Sequence, residues 1–146
     1  MPESLVREQV RTSAGSEAAF VFPARRGRMR LALTPTRVIA TSAAGTVELA
    51  WKGVAGVVID QRVLGIAATR PEAAVWTRGR WLGRLNQRAT PYAVSFKADA
   101  FAAEAGAIVQ AIMRYQRNAR QRRSIGSEEE HARLLRELGE APPARA

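Results

Sequence analysis

The chain has 146 residues, 47% of them hydrophobic, enough for one domain with its own core. It contains no cysteine, which excludes disulfide frameworks and thiolate metal sites, and its formal net charge is +10. The longest apolar run, Gly53 to Ile59, falls far short of the roughly 20 residues a helix needs to cross a bilayer. The N-terminus has early acids and no apolar stretch behind them, unlike a secretory signal, so a soluble cytoplasmic protein is expected.

The charge is unevenly spread. Residues 25–98 hold eleven Arg and two Lys against Glu48, Asp60 and Glu72, while the flanking segments are nearly balanced. Such a field favours an anionic partner: a phospholipid surface, a nucleic acid or an acidic protein. Abundant Arg and Ala also fit the codon bias of a GC-rich genome. That bias does not explain why acids are scarce over 25–98.

Residues 1–19 are polar and rich in Ala, Ser and Gly, and read as a flexible N-terminal arm or a short helix lying on the domain. Phe20-Val21-Phe22 is a first strand ended by Pro23. A turn over Ala24 to Gly27 carries Arg25 and Arg26 into RMRLALT, where Met29, Leu31 and Leu33 share one face and Arg28, Arg30 and Thr34 the other. Pro35-Thr36 breaks the run, RVIATS starts the next, and after Ala44-Gly45 the stretch TVELAW puts Val47, Leu49 and Trp51 on one face. Trp51 to Ala55 is a tight connection to a fifth strand near Gly56 to Asp60. Two short strands follow, around Leu64 to Thr69 and Ala73 to Thr77.

No acid occurs between Ala73 and Ala98, while Arg78, Arg80, Arg84, Arg88 and Lys97 are all basic. In a short helix Arg80, Arg84 and Arg88 would align beside Trp81 and Leu85, as in a basic amphipathic segment at a membrane interface. The competing reading is a loop whose Trp81 and Leu82 cover the core edge. PYAVSFKA is the seventh strand, with Tyr92, Val94 and Phe96 on one face. Asp99 suits a helix N-cap, and Phe101, Ala105, Ile108, Val109 and Ile112 recur at helical spacing. The arginines from Arg114 to Arg123 are favoured by the macrodipole at that helix's C-terminus.

Gly126 is a natural stop, and Ser127 with Glu130 makes a capping box for a second helix. There His131, Leu134, Leu135 and Leu138 share a face that either folds back on the domain or pairs with another chain; residues 140–146 are a tail. His131 is the sole histidine, and a partly buried helix position suits it better than a metal site.

Seven short antiparallel strands closed by one amphipathic helix resemble the bacterial PH-like and GRAM-type (pleckstrin-homology-like) domains. The stretch from Gly27 through Leu31, Leu33, Thr34 and Arg37 to Val38-Ile39 is similar to that family's G-x-x-x-L-x-L-T-x-x-R hairpin. Leu49 through Trp51 and Val54 to Val57 is similar to its strand junction, and Tyr92 to Met113 to its last strand and closing helix. The resemblance covers about residues 20–115. It implies an α+β, mainly β fold, a PH-like barrel of about seven strands closed by a helix, with the domain over 20–123; the arm, the long basic loop and the additional helix over 124–139 fall outside it.

It also implies a binding module, with Arg28-Met29-Arg30 where phosphoinositide-binding members carry a basic pair. No phosphate loop, G-x-S-x-G or H-E-x-x-H motif occurs, so neither enzyme nor cofactor is expected. The expectation is an adaptor that binds an acidic protein or an anionic lipid headgroup, peripherally at the inner face of the membrane, through Arg25, Arg26, Arg28, Arg30, Arg78, Arg80, Trp81, Arg84 and Arg88. The alternatives are sequence-independent nucleic-acid binding, with Trp76 or Trp81 stacking on bases, and self-association through Leu134, Leu135 and Leu138.

Overall fold

Alternating runs of four to nine residues become strands that pair with their chain neighbours. The computed structural model describes residues 4–43, 45–78 and 92–139. β1 (Val6–Thr12), β2 (Gly15–Pro23), β3 (Arg30–Leu33), β4 (Arg37–Ser42) and β5 (Gly45–Ala50) form an antiparallel meander. β6 (Val54–Asp60) and β7 (Val63–Ala68) belong to a second sheet, completed by β9 (Val94–Lys97), while β8 (Ala74–Arg78) returns to pair with β5. Three short helices follow: α1 (Ala105–Arg117), α2 (Ala119–Arg122) and α3 (Glu128–Glu137).

The register turns alternation into a core. Phe22, Leu31, Ala40, Val47 and Trp76 lie opposite one another across the large sheet, and Phe20, Leu33, Val38, Leu49 and Ala74 make the next row. Against them pack Val57, Leu64, Ile66, Val94 and Phe96 of the small sheet and Ile108, Ile112 and Tyr115 of α1. Burial pushes the Tyr115 hydroxyl well above its usual range. Between β3 and β4 the fully buried Thr34 builds the turn. Its hydroxyl donates to the Arg37 carbonyl and accepts from the Thr36 and Arg37 amides, while its carbonyl accepts from Trp51 Nε1 at 2.7 Å.

The expected PH-like barrel of about seven strands closed by a helix is not what these residues build. Two separate antiparallel sheets, of six and three strands, lie against each other with no closed barrel. Trp51–Gly53 forms a turn of 3-10 helix that swings the chain away from β5. Gly53 lets Ala73 come so close that a Cβ would sit 2.9 Å from the alanine's methyl, and the edge of β5 goes to β8. β6 therefore starts a new sheet. At the opposite side an isolated bridge between Ala24 and Phe101 ties the two sheets together.

Two further expectations are corrected. Residues 6–19 are neither an arm nor a helix: β1 pairs with β2 from Val6 opposite Val21 to Thr12 opposite Gly15. Leu5 enters the main core, and Val6 and Val10 cover Ala19, Val21, Ala32 and Ile39 on the outer face. Asp99 does not cap a helix. The Ala100 amide donates to the Lys97 carbonyl in a turn, Phe101 pairs with Ala24, and α1 begins only at Ala105 after Glu104.

The C-terminal helix packs in cis. Ser127 Oγ accepts from the Glu130 amide at 3.2 Å, His131 Nε2 lies 3.1 Å from the Leu5 carbonyl, and Leu134 and Leu135 are buried in the chain's own core, with Leu138 packed beside them. The leucine face read as a self-association surface is thus occupied from within. Gly126 makes this approach possible: its φ is +94°, and a Cβ there would lie 2.4 Å from that of Ala18. Gly126→Ala is expected to cost about 3 kcal/mol in urea unfolding from backbone strain and overlap together. Gly106→Ala, at an open site on α1, should be neutral or slightly stabilising.

Candidate functional site

β2, β4 and β8 run in the same direction, so Pro23, Ser42 and Arg78 all emerge at one end of the large sheet. The loop after β2 carries Arg25, Arg26 and Arg28, all exposed, with Gly27 at φ +83° between the last two. Its main chain is anchored across the molecule: the Arg25 amide donates to the Ala100 carbonyl at 2.9 Å and the Ala102 amide to the Pro23 carbonyl at 3.0 Å. Arg25 Nε is spent on the Phe101 carbonyl at 2.8 Å. Among the described residues Arg26 and Arg28 have no ion pair.

The same turn gathers cations from the small sheet. The Ala98 amide donates to the Arg62 carbonyl at 2.8 Å, which brings the β6–β7 hairpin tip to the segment that holds Arg25. Gln61 and Arg62 have φ of 47° and 68°, an uncommon conformation for non-glycine residues that suits a two-residue hairpin turn. It leaves Arg62 exposed at the tip, with Lys97 exposed opposite Val63. Five cations from three segments therefore sit at one end. The acids in these segments are Asp99 and Asp60, and Asp60 Oδ2 accepts from the Tyr92 hydroxyl at 3.4 Å.

Arg30 and Arg78 stand differently. Arg30 forms an ion pair with Glu8 of β1. Arg78 lies in the same cross-strand row as Arg30, through Thr41 and Thr46, roughly 14 Å away at three strand spacings. Arg80, Trp81, Arg84 and Arg88 lie outside the described residues. Sequence reading missed Arg62 and Lys97, because nothing local in a sequence says which turn will face which.

Other charges are committed to the scaffold. Glu48, one of the three acids of 25–98, is buried on the outer face of β5. It accepts from Arg37 Nη1 at 2.8 Å, Ser13 Oγ at 2.9 Å and the Ser13 amide, so the β1–β2 hairpin tip is strapped over the sheet. Arg37 Nε also lies 3.4 Å from Glu17. In the helical region Arg122 reaches back to the Tyr115 and Gln116 carbonyls at the end of α1, its guanidinium 5.8 Å from the Trp51 ring centroid. Trp76 is packed against the core with its indole nitrogen buried, so it is not presented for stacking on a base.

Among the described residues no three His, Cys, Asp or Glu side chains come together as a metal site requires. Nor is any described helix long and apolar enough to cross a membrane. Comparison with known proteins found no matching family model, no matching curated protein and no matching solved structure.

Proposed function

We propose that the chain is a non-catalytic binding module whose basic end, formed by Arg25, Arg26, Arg28, Arg62 and Lys97, docks on an anionic membrane surface. The observation that carries this reading is the convergence of three cationic segments on the 97–102 turn while Glu8, Glu17 and Glu48 are used elsewhere. The cations are loop-borne and exposed, which suits the extended charge of a headgroup layer. An acidic protein read by the same groups is the alternative partner.

Co-sedimentation with phosphatidylserine-containing vesicles tests the reading. At about 1 kcal/mol per basic residue near an anionic surface, Arg26→Ala with Arg28→Ala should weaken binding roughly thirtyfold at unchanged thermal stability. Added salt should weaken it further. Equal pelleting with neutral vesicles, or none with either, would overturn the membrane reading.

A further inference from the structure

We propose that the open edge of β6 and the adjoining face of α1 form a docking groove for an extended peptide that carries apolar and acidic side chains on one and the same face. The argument starts from the hairpin tip. With Gln61 and Arg62 both at positive φ, the turn is a two-residue one and the closing pair Asp60–Val63 exchanges both hydrogen bonds. Alternation then gives Val58 to Gly65, so the main-chain N–H and C=O groups of Val57 and Ile59 point away from β7. β6 ends the sheet, β7 being paired on its other side with β9. At its start the edge is closed, since the Gln116 side-chain amide donates to the Val54 carbonyl at 2.5 Å. Among the described residues nothing caps it at Val57 or Ile59.

Beside this open half lies a groove of about 710 Å3 between Ile59 and α1. That volume falls in the roughly 300–1,000 Å3 range of ligand sites. Val109, Met113 and Arg117, four apart, run along its helical wall, with Gly106 at one end and Gln121 at the other. Ile59 is 47% exposed, with no Lys or Pro in Val57–Ile59 to discourage pairing. Unpaired main-chain groups beside a wall that sets Val109 and Met113 among Gln110, Asn118 and Arg117 are what strand addition with side-chain selection needs.

Charge selects the occupant. Arg114 in this groove is paired with Glu137, but Arg117 is exposed and has no carboxylate partner among the described residues. A bound strand would place apolar side chains against Ile59 and Met113 and, two residues along on the same face, a carboxylate toward Arg117, where a guanidinium can hold it bidentately. This site is separate from the basic end and does not depend on it.

The test uses the full chain and two fluorescein-labelled peptides, a Val-Glu peptide repeating Val-Ser-Glu-Ser, which puts valine and glutamate on one strand face, and a Val-Lys peptide with lysine in place of each glutamate. Anisotropy reads affinity, and amide chemical shifts locate the contact. The Val-Glu peptide is expected to bind, to shift the Val57 and Ile59 amides, and to bind at least tenfold more weakly to Ile59→Lys and Met113→Glu. Arg117→Glu should reverse the preference between the two peptides. The proposal is overturned if the folded protein binds neither peptide, or if shifts fall on Arg26, Arg28 and Arg62 instead. It is equally overturned if β6 pairs with a second copy, seen as a dimer that Ile59→Lys dissociates.

Discussion

Trp51→Ala is expected to lower stability by about 4 kcal/mol, measured as a fall in the urea midpoint with little change in slope. Trp51 is 4% exposed where the meander leaves β5, and three elements meet on its ring. Its Nε1 holds the Thr34 carbonyl, the Tyr115 ring centroid is 6.2 Å away, and the Arg122 guanidinium lies over it. Truncation opens a cavity between the first hairpins and α1 and leaves the carbonyl of a fully buried residue without its donor. Trp51→Phe keeps most of the volume and isolates the hydrogen bond, so it should cost about 1–2 kcal/mol. A loss below about 1 kcal/mol for the alanine variant would mean that the ring does not join the sheet to the helix as described.

The second large effect is at Arg37, whose removal should cost about 3–5 kcal/mol. Its side chain is 19% exposed and stands between Glu48 and Glu17, also donating to Ser13 Oγ at 2.7 Å. Arg37→Met leaves two largely buried carboxylates without their cation, and the hairpin tip loses its strap. Adding Glu48→Gln removes one of those charges while keeping an acceptor for Ser13, so the double variant should be more stable than Arg37→Met alone. A double-mutant cycle by urea unfolding measures this. A double variant no more stable than the single would show that buried charge is not the source of the loss. The strap also bears on function, since it ties Glu17 and Glu48 to Arg37 on the outer face of the sheet.

Several local features were legible from sequence because their causes are local. The alternation of RMRLALT and TVELAW, the breaks at Pro35-Thr36 and at Gly45, the Ser127 cap and the stops at Gly126 and Gly139 each follow from a few consecutive side chains and one backbone preference. So did the apolar stripe of Ile108, Val109 and Ile112 on α1. The β1–β2 hairpin was not legible. β1 is an edge strand whose Arg7, Glu8, Gln9 and Arg11 are polar on both faces, which hides the period of two.

By itself, then, the sequence determined where most strands and helices lie and that positive charge is concentrated between residues 25 and 98. Tertiary structure alone decided that β5 pairs with β8, so that two sheets form in place of a barrel, and that Arg62 and Lys97 join Arg25 to Arg28. It alone decided that the helix bearing Leu134 and Leu135 is filled from within, and that the edge of β6 stays open. A period of two tells which face a side chain takes. It carries no information about which strand will be the neighbour, because that is settled by contacts between residues distant in the chain.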